Sequence, residues 1–148
     1  MSSATVQAVS AEQVLDVMAR WQQAVSSGDM DAFREMYAVD AVLFTPLSAD
    51  PIRGRDAIWQ FESSMHAAFP DARLVTHKPV VEHDTVAIEW EYSGKNTGPI
   101  TTPMRIIPPT GHAMKIYGAS FLHFHSALIT QERRYYDARG LYLQLGLQ

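Results

Sequence analysis

The sequence predicts an α+β fold, in which helices cover one face of a mostly antiparallel sheet. Apolar residues recur at helical spacing in three segments before Pro70, and after Pro70 they alternate with polar residues as in strands. The 148 residues are 47% hydrophobic and 19% charged, which is typical of one compact domain. Helices on one side of a strongly curved sheet leave a cone with an open mouth, and concave apolar sites of this kind bind small ligands.

Three helices are predicted before Pro70. The first begins at a capping box, in which Ser10 is followed three residues later by Gln13, and it ends at Gly28. Asp29 then caps a short second helix, and Pro70 ends the third. The apolar stripes of the three helices are, in order, Val14, Met18, Trp21 and Val25; Phe33, Met36 and Tyr37; and Ile58, Phe61, Met65 and Phe69.

Strands are predicted from short apolar or alternating segments. The clearest is 85–93, where large apolar residues occupy every second position, so that one face meets the core and the other meets solvent or a partner subunit. A tight turn at Ser126 and Ala127 joins the last two strands. The other predicted strands are 41–45, 72–81, 114–125 and 128–137, with loops over 47–55 and 94–111 and a helical turn or two over 138–148.

Composition and charge exclude several classes of protein. The chain has no cysteine, so neither a disulfide nor a thiolate ligand is available. A formal net charge of −4 and a pI of about 5.8 argue against nucleic-acid binding. No apolar run approaches the roughly 20 residues that span a bilayer, and the N-terminal residues have no secretory pattern. We therefore expect a cytoplasmic protein that does not bind membranes, with a flexible tail over 1–9 and a single domain over 10–148.

Several local motifs resemble the SnoaL-like polyketide cyclases of the nuclear-transport-factor-2-like superfamily. The more specific motifs are Pro108–Gly111 and the ending Asp137–Leu141, which is followed by Gln144–Gly146. The resemblance implies a cone-shaped fold, with three N-terminal helices packed on a curved sheet. It also implies a homodimer formed through the outer face of the sheet.

The resemblance also implies that Asp137 is a general base. In such enzymes an acid on the last strand removes a proton next to a carbonyl, so that an intramolecular aldol reaction closes a ring. An apolar cone would raise the pKa of this carboxyl towards the range useful near neutral pH. A period of two places Arg133 and Tyr135 on the same face, where they would orient the substrate or stabilise an enolate. The alternative is that Asp137 only caps the helical turn that follows it.

Other residues are candidates for the wall of the cone. Large aromatic side chains serve equally well as core or as the lining of a ligand cavity. In relatives a histidine is common where this chain has Asn96, and His112 follows a glycine in a loop near the expected mouth. The resemblance also implies that Ser120, Leu122 and Phe124 face the cone, which turns His123 and His125 outward, and nothing completes a metal site with them. The predicted substrate-binding residues are Trp21, Phe44, Trp59, Trp90, Asn96, His112 and Leu122.

The expected function is a cyclase- or isomerase-type enzyme without metal or organic cofactor, acting on a small hydrophobic carbonyl-bearing molecule. Two alternatives stay open: an epoxide or ester hydrolase with an Asp/Arg-activated water, and a non-catalytic small-molecule binder. Ketosteroid-isomerase chemistry is disfavoured, because the positions that would carry its three functional groups are Trp21, Thr45 and Ser120. The position of Asp137 discriminates between these functions: burial beside Arg133 favours catalysis, whereas an exposed cap favours the binder.

Overall fold

Four helices and nine strands form within residues 9–147, the part of the chain that the computed structural model describes. The helices are α1 (Ala11–Ser27), α2 (Met30–Glu35), α3 (Arg55–Ala68) and α4 (Ala138–Gln144). The strands are β1 (Tyr37–Phe44), β2 (Ile52–Arg53), β3 (Arg73–Thr76), β4 (Val80–Glu82), β5 (Thr85–Lys95), β6 (Ile100–Thr101), β7 (Ile106–Ile107), β8 (Ala113–His125) and β9 (Leu128–Tyr136).

Seven strands form one sheet, and the other two form a separate hairpin. The order in the main sheet is β2-β1-β9-β8-β5-β3, with β4 also paired to β5, while β6 pairs with β7. Only the β1–β9 pairing is parallel among those described. Helix α1 packs on β3, α3 packs on β1, and α4 packs on β8. The predicted α+β fold, with helices on a curved and mostly antiparallel sheet, is confirmed.

The helix ends form as their sequences predict. Ser10 Oγ accepts a hydrogen bond from Gln13 N at 3.1 Å, and Gln13 Oε1 accepts one from Ser10 N at 2.9 Å, which completes the capping box. Gly28 ends α1 in the left-handed conformation, with φ of 74°. Asp29 then caps α2 by accepting from Ala32 N at 3.0 Å.

The boundaries differ from the prediction where short pairings intervene. Tyr37 begins β1 instead of ending a helix, and the predicted loops contain β2 and the β6–β7 hairpin. The strand over 72–81 is interrupted at Pro79, as predicted from its missing N–H, but β3 already ends at Thr76 and β4 begins at Val80. Val9 is only 8% exposed and belongs to the core, so the predicted tail does not include it; residues 1–8 lie outside the described part.

The β8–β9 hairpin contains an irregularity that decides which side chains face the core. Ser126 and Ala127 form the predicted tight turn with positive φ angles of 49° and 65°. Phe124 pairs with Ile129, but His123 pairs with Gln131, so one extra residue of β9 is left between these pairs. A bulge of this kind moves the following residues to the opposite face of the sheet. Consequently the positions that face the core beyond the bulge are Glu132, Arg134 and Tyr136.

None of the helices in residues 9–147 has the length and apolar character needed to cross a membrane.

Candidate active site

A cavity lies between the helices and the inner face of the sheet, and we call it the inner cavity. It encloses about 460 Å³, including space at its mouth that is open to solvent. Mostly apolar and aromatic side chains line it, together with four titratable groups, those of Glu62, Tyr92, Arg134 and Tyr136. The lining residues are Trp21, Val25, Phe61, Glu62, Met65, Leu74, Trp90, Tyr92, Ile116, Arg134 and Tyr136.

Arg134 joins two buried carboxylates in this cavity. Its Nε donates to Glu132 Oε2 at 2.7 Å and its Nη2 donates to Glu132 Oε1 at 3.3 Å. On the other side, Arg134 Nη1 forms an ion pair with Glu62 Oε1. The side chains of Arg134 and Glu62 are each 10% exposed, so this attraction acts largely out of water.

Glu132 is fully buried and holds Arg134 in place. Besides Arg134, it accepts hydrogen bonds from Tyr37 Oη at 2.5 Å and from Ser120 Oγ at 2.9 Å. Ser120 in turn accepts one from Trp90 Nε1 at 3.0 Å. Glu132 has no exposed surface and does not line the inner cavity, so its part is to position the arginine.

Glu62 is the carboxylate that faces the cavity. Burial raises the pKa of its carboxyl above the ordinary value of 4.5, Arg134 lowers it, and the nearby Glu132 raises it again. The net direction is upward, because burial has the largest effect and the attraction of Arg134 only partly offsets it. Glu62 therefore binds a proton more readily than an exposed glutamate.

Two tyrosines of the cavity keep their protons at neutral pH. Burial raises the pKa of Tyr136 to about 12, and burial also raises the pKa of Tyr92 above its ordinary value. Tyr136 Oη lies 3.5 Å from Thr45 Oγ1, at the limit of a hydrogen bond. The inner cavity thus combines a carboxylate that accepts a proton with a phenol and a guanidinium that donate hydrogen bonds.

The predicted catalytic residues lie outside this cavity. Asp137 is exposed, and its Oδ1 accepts a hydrogen bond from Gly140 N at 2.8 Å as the N-cap of α4. The predicted burial of this carboxylate in an apolar hollow is therefore wrong, and the alternative interpretation as a helix cap is confirmed.

Arg133 and Tyr135 lie on the outer face, because the bulge in β9 turns them away from the core. Arg133 stacks on Phe44, with its Cζ 4.1 Å from the ring centroid, and Tyr135 is 55% exposed.

Two of the seven predicted substrate-binding residues, Trp21 and Trp90, line the inner cavity, and their role in binding stays a prediction. The other five do not line it. Phe44 lies on the outer face of the sheet, paired with Arg133, and Leu122 is fully buried in the core. Trp59 lies beside Arg34 and Asp56, away from the cavity.

Asn96 and His112 also lie outside the lining of the inner cavity. Asn96 is fully buried and forms four hydrogen bonds of 2.8 to 3.0 Å, two to backbone oxygens and two from Thr110, so it organises a loop. The side chain of His112 is exposed and lies near Gly146.

The two histidines of β8 lie on the face predicted for them. His123 and His125 point away from the core, and His123 Nδ1 lies 3.2 Å from Thr85 Oγ1. Within residues 9–147, no group of three His, Cys, Asp or Glu side chains is arranged to hold a metal ion.

A signal for Glu62 is present in the sequence, although no role was predicted for this residue. It lies four residues after Ile58 and three before Met65, on the apolar stripe of α3. A charged residue on a buried stripe is rare unless it is paired, and it therefore marks a candidate site. Arg134 carries no comparable signal, because the bulge that turns it inward is not evident in the alternation of β9.

Comparison with known proteins supports this fold and indicates a family. The chain is 37% identical over 71 residues to the Steroid Delta-isomerase of Nocardioides simplex, and the match covers 48% of this chain and 58% of that enzyme. The match thus spans a little over half the length of this curated relative. Among solved structures, a protein of Jannaschia sp. CCS1 assigned to the SnoaL-like polyketide cyclases has a TM-score of 0.79 at 16% identity, covering 100% of this chain and 99% of its own.

IdmH of Streptomyces antibioticus, assigned as a polyketide cyclase, has a TM-score of 0.69 at 27% identity and covers 90% of this chain and 98% of its own. The family model of SnoaL-like polyketide cyclases matches residues 15–145, nearly the whole of the chain. The protein therefore belongs to the SnoaL-like polyketide cyclase family.

Proposed function

We propose that this protein is a cyclase- or isomerase-type enzyme that moves a proton at the carbon next to a carbonyl, with Glu62 as the general base. The observation that carries the proposal is a carboxylate in an apolar cavity, 8% exposed, whose pKa burial raises. Family membership supports the reaction class. The mostly apolar lining supports a small hydrophobic carbonyl-bearing substrate.

The proposed reaction begins when ionised Glu62 takes a proton from the carbon next to the carbonyl. The electrons of that C–H bond form the enolate, and negative charge develops on the carbonyl oxygen. Tyr136 and Arg134 line the same cavity as Glu62 and are the hydrogen-bond donors available to this oxygen. In an isomerisation, Glu62 returns the proton to another carbon. In a cyclisation, the enolate carbon bonds to a second carbonyl carbon, the C=O π electrons move to its oxygen, and that oxygen takes the proton back from Glu62, which restores the carboxylate.

The network behind the cavity supports the same proposal. Glu132 neutralises and orients Arg134 by accepting two hydrogen bonds from it. Tyr37 and Ser120 donate two further hydrogen bonds to the carboxylate oxygens of Glu132. A carboxylate held in this way keeps the guanidinium directed at the cavity. Glu132 is thus a positioning residue, and Glu62 is the acid that touches the substrate.

A hydrolase would need an acid–arginine pair and a second acid at the substrate, and only the pair lines the inner cavity. Glu62 and Arg134 form the acid–arginine pair that would activate a water molecule. A second acid would have to reach the substrate to protonate its leaving oxygen, but Glu132 does not line the cavity. The arrangement therefore favours proton transfer at carbon over hydrolysis.

The test is exchange of hydrogen for deuterium next to the carbonyl of 4-methylcyclohexanone in D₂O, followed by NMR. We expect the wild-type chain to accelerate exchange and Glu62→Gln to slow it about a hundredfold, the lower end for a general base. Glu82→Gln, at an exposed glutamate of β4, is the matched control and should exchange at the wild-type rate.

Asp137→Asn separates the two candidate acids. Asparagine caps helices as well as aspartate does, so this variant should stay folded and should exchange like the wild type. A large loss in Asp137→Asn with none in Glu62→Gln would identify Asp137 as the base instead of Glu62. Binding of the ketone without exchange in any variant would favour the non-catalytic binder.

A further inference from the structure

A second, wider cleft lies beside the inner cavity, and we call it the outer cleft. It lies between α3, α4, the β6–β7 hairpin and the segment that follows β1, and it encloses about 1130 Å³, including space open to solvent. Its walls include Phe61, Ser64 and Met65 of α3 and Thr101 of β6.

Two side chains belong to both spaces. Phe61 and Met65 line the inner cavity and the outer cleft, and they lie one turn apart on α3. Both are only half-buried, so they form a thin boundary between the two spaces. Glu62 lies between them in sequence and faces the inner cavity. A molecule whose carbonyl lies beside Glu62 therefore has the outer cleft within its reach.

The chemistry of the outer cleft indicates what it would accept. None of its lining residues in the described part of the chain carries a charged side chain. The polar groups among them are hydroxyls and one amide, and the remainder are apolar. A charged occupant would lose its hydration without gaining an ion pair, whereas an apolar occupant loses only contact with water.

We propose that the outer cleft binds an uncharged apolar extension of the substrate while the reacting carbonyl lies in the inner cavity. This inference rests on the proposed function and adds the shape of the substrate, a ketone extended on one side of its reacting centre. Phe61 and Met65 then contact the substrate where its extension leaves the inner cavity, and they determine how wide it can be at that point.

The test compares the affinities of 4-methylcyclohexanone and 4-pentylcyclohexanone, measured by NMR titration. We expect the wild-type chain to bind the pentyl ketone at least about tenfold more tightly, because each additional buried methylene group adds to the affinity. Ser64→Phe places a large side chain in the outer cleft without touching the inner cavity. It should remove most of the tenfold preference and change the affinity for the methyl ketone by less than about twofold.

Ala67→Phe is the matched control. Ala67 is exposed on the same helix and lines neither space, so this variant should keep the preference for the pentyl ketone. If Ser64→Phe does not fold, Thr101→Phe closes the outer cleft from its opposite wall. Equal or undetectable wild-type affinities for the two ketones would overturn the proposal, as would a preference that survives in the folded blocking variant.

Two further outcomes separate this inference from other interpretations. If Ser64→Phe changes the oligomeric state in sedimentation, the outer cleft is an interface between copies of the chain and the proposal fails. If the preference for the pentyl ketone holds but neither ketone exchanges its hydrogens, the outer cleft is confirmed and the role proposed for Glu62 is wrong.

Discussion

Burying the charged side chains of Glu62 and Arg134 in the interior of a small domain is unfavourable for its stability. Removing two carboxylates and one guanidinium from water carries a penalty that their mutual attraction rarely exceeds, and apolar replacements of similar volume are often more stable. For Glu132, hydrogen bonds from Tyr37 and Ser120 offset part of the penalty of removing the carboxylate from water. Glu62 has only the ion pair with Arg134 among the described residues, and it lines a cavity. Stability therefore does not explain Glu62, whereas the proton transfer that we propose for it would.

Both the activity and the stability of the protein should depend on pH through the ionisation of Glu62. Because its pKa is raised above 4.5, kcat/KM for exchange should increase with pH on a limb displaced above the range of an exposed glutamate. A raised pKa also means that the folded chain favours protonated Glu62. This contribution to the free energy of unfolding is complete below pH 4.5 and is lost as pH rises through the folded-state pKa.

Urea unfolding of the wild type and of Glu62→Gln across this pH range measures the second effect without any substrate. The neutral glutamine cannot ionise, so wild-type stability should fall relative to the variant over the same pH interval in which activity rises. Parallel pH curves for the two proteins would contradict a raised pKa at Glu62.

The hairpin of β8 and β9 shows what could be predicted at the level of elements and what could not. Both strands and their turn were predicted from alternation and are confirmed. With that turn and a regular register, Ser120 would pair with Arg133, and the odd-numbered residues of β9 would face the core. The observed partner of Ser120 is Arg134, because one extra residue enters β9 near Thr130. Alternation identifies a strand, but its phase beyond a bulge depends on cross-strand pairing, which one sequence does not contain.

Gly118 leaves room for the ring of Trp90, which lines the inner cavity. It pairs with Trp90 on β5 and with Tyr136 on β9, whose rings meet edge to face with centroids 5.8 Å apart. A Cβ at this position would lie 2.4 Å from Trp90 Cη2, so Gly118→Ala must displace the indole. We expect the free energy of unfolding to fall by about 1–3 kcal/mol, as in other overpacked cores.

A double-mutant cycle with Trp90→Phe checks this cause. Phenylalanine lacks the outer atoms of the indole, so Gly118→Ala should cost less in the Trp90→Phe background than in the wild type. An equal cost in both backgrounds, measured by urea unfolding, would mean that the strand itself resists alanine at this position.

For the molecule as a whole, apolar periodicity was enough to predict the class of fold. Hydrophobic burial involves whole helix and strand faces, which repeat along the sequence, so the layers and most boundaries followed from it. The site depends instead on a few polar residues placed among apolar ones, such as Glu62 on α3. The physical requirement for an acid in an apolar hollow was predicted, but it was assigned to Asp137, which lies outside the hollow. Family resemblance supplied that assignment, and the burial of Glu62 argues against it.

The predicted homodimer concerns the outer face of the sheet, which in the single chain exposes Tyr117, Phe121 and Tyr135 to 66%, 44% and 55%. The rings of Phe121 and Tyr135 pack edge to face at 6.1 Å, so these side chains form one aromatic patch. Sedimentation should find a dimer for the wild type and a monomer for Tyr135→Glu, because the dimer would have to remove the new carboxylate from water. Leu15→Glu, at an exposed apolar residue of α1 in the helical layer, should stay dimeric. A monomeric wild type at every concentration tested, or a Tyr135→Glu variant that still dimerises, would mean that this patch is not the contact between two copies.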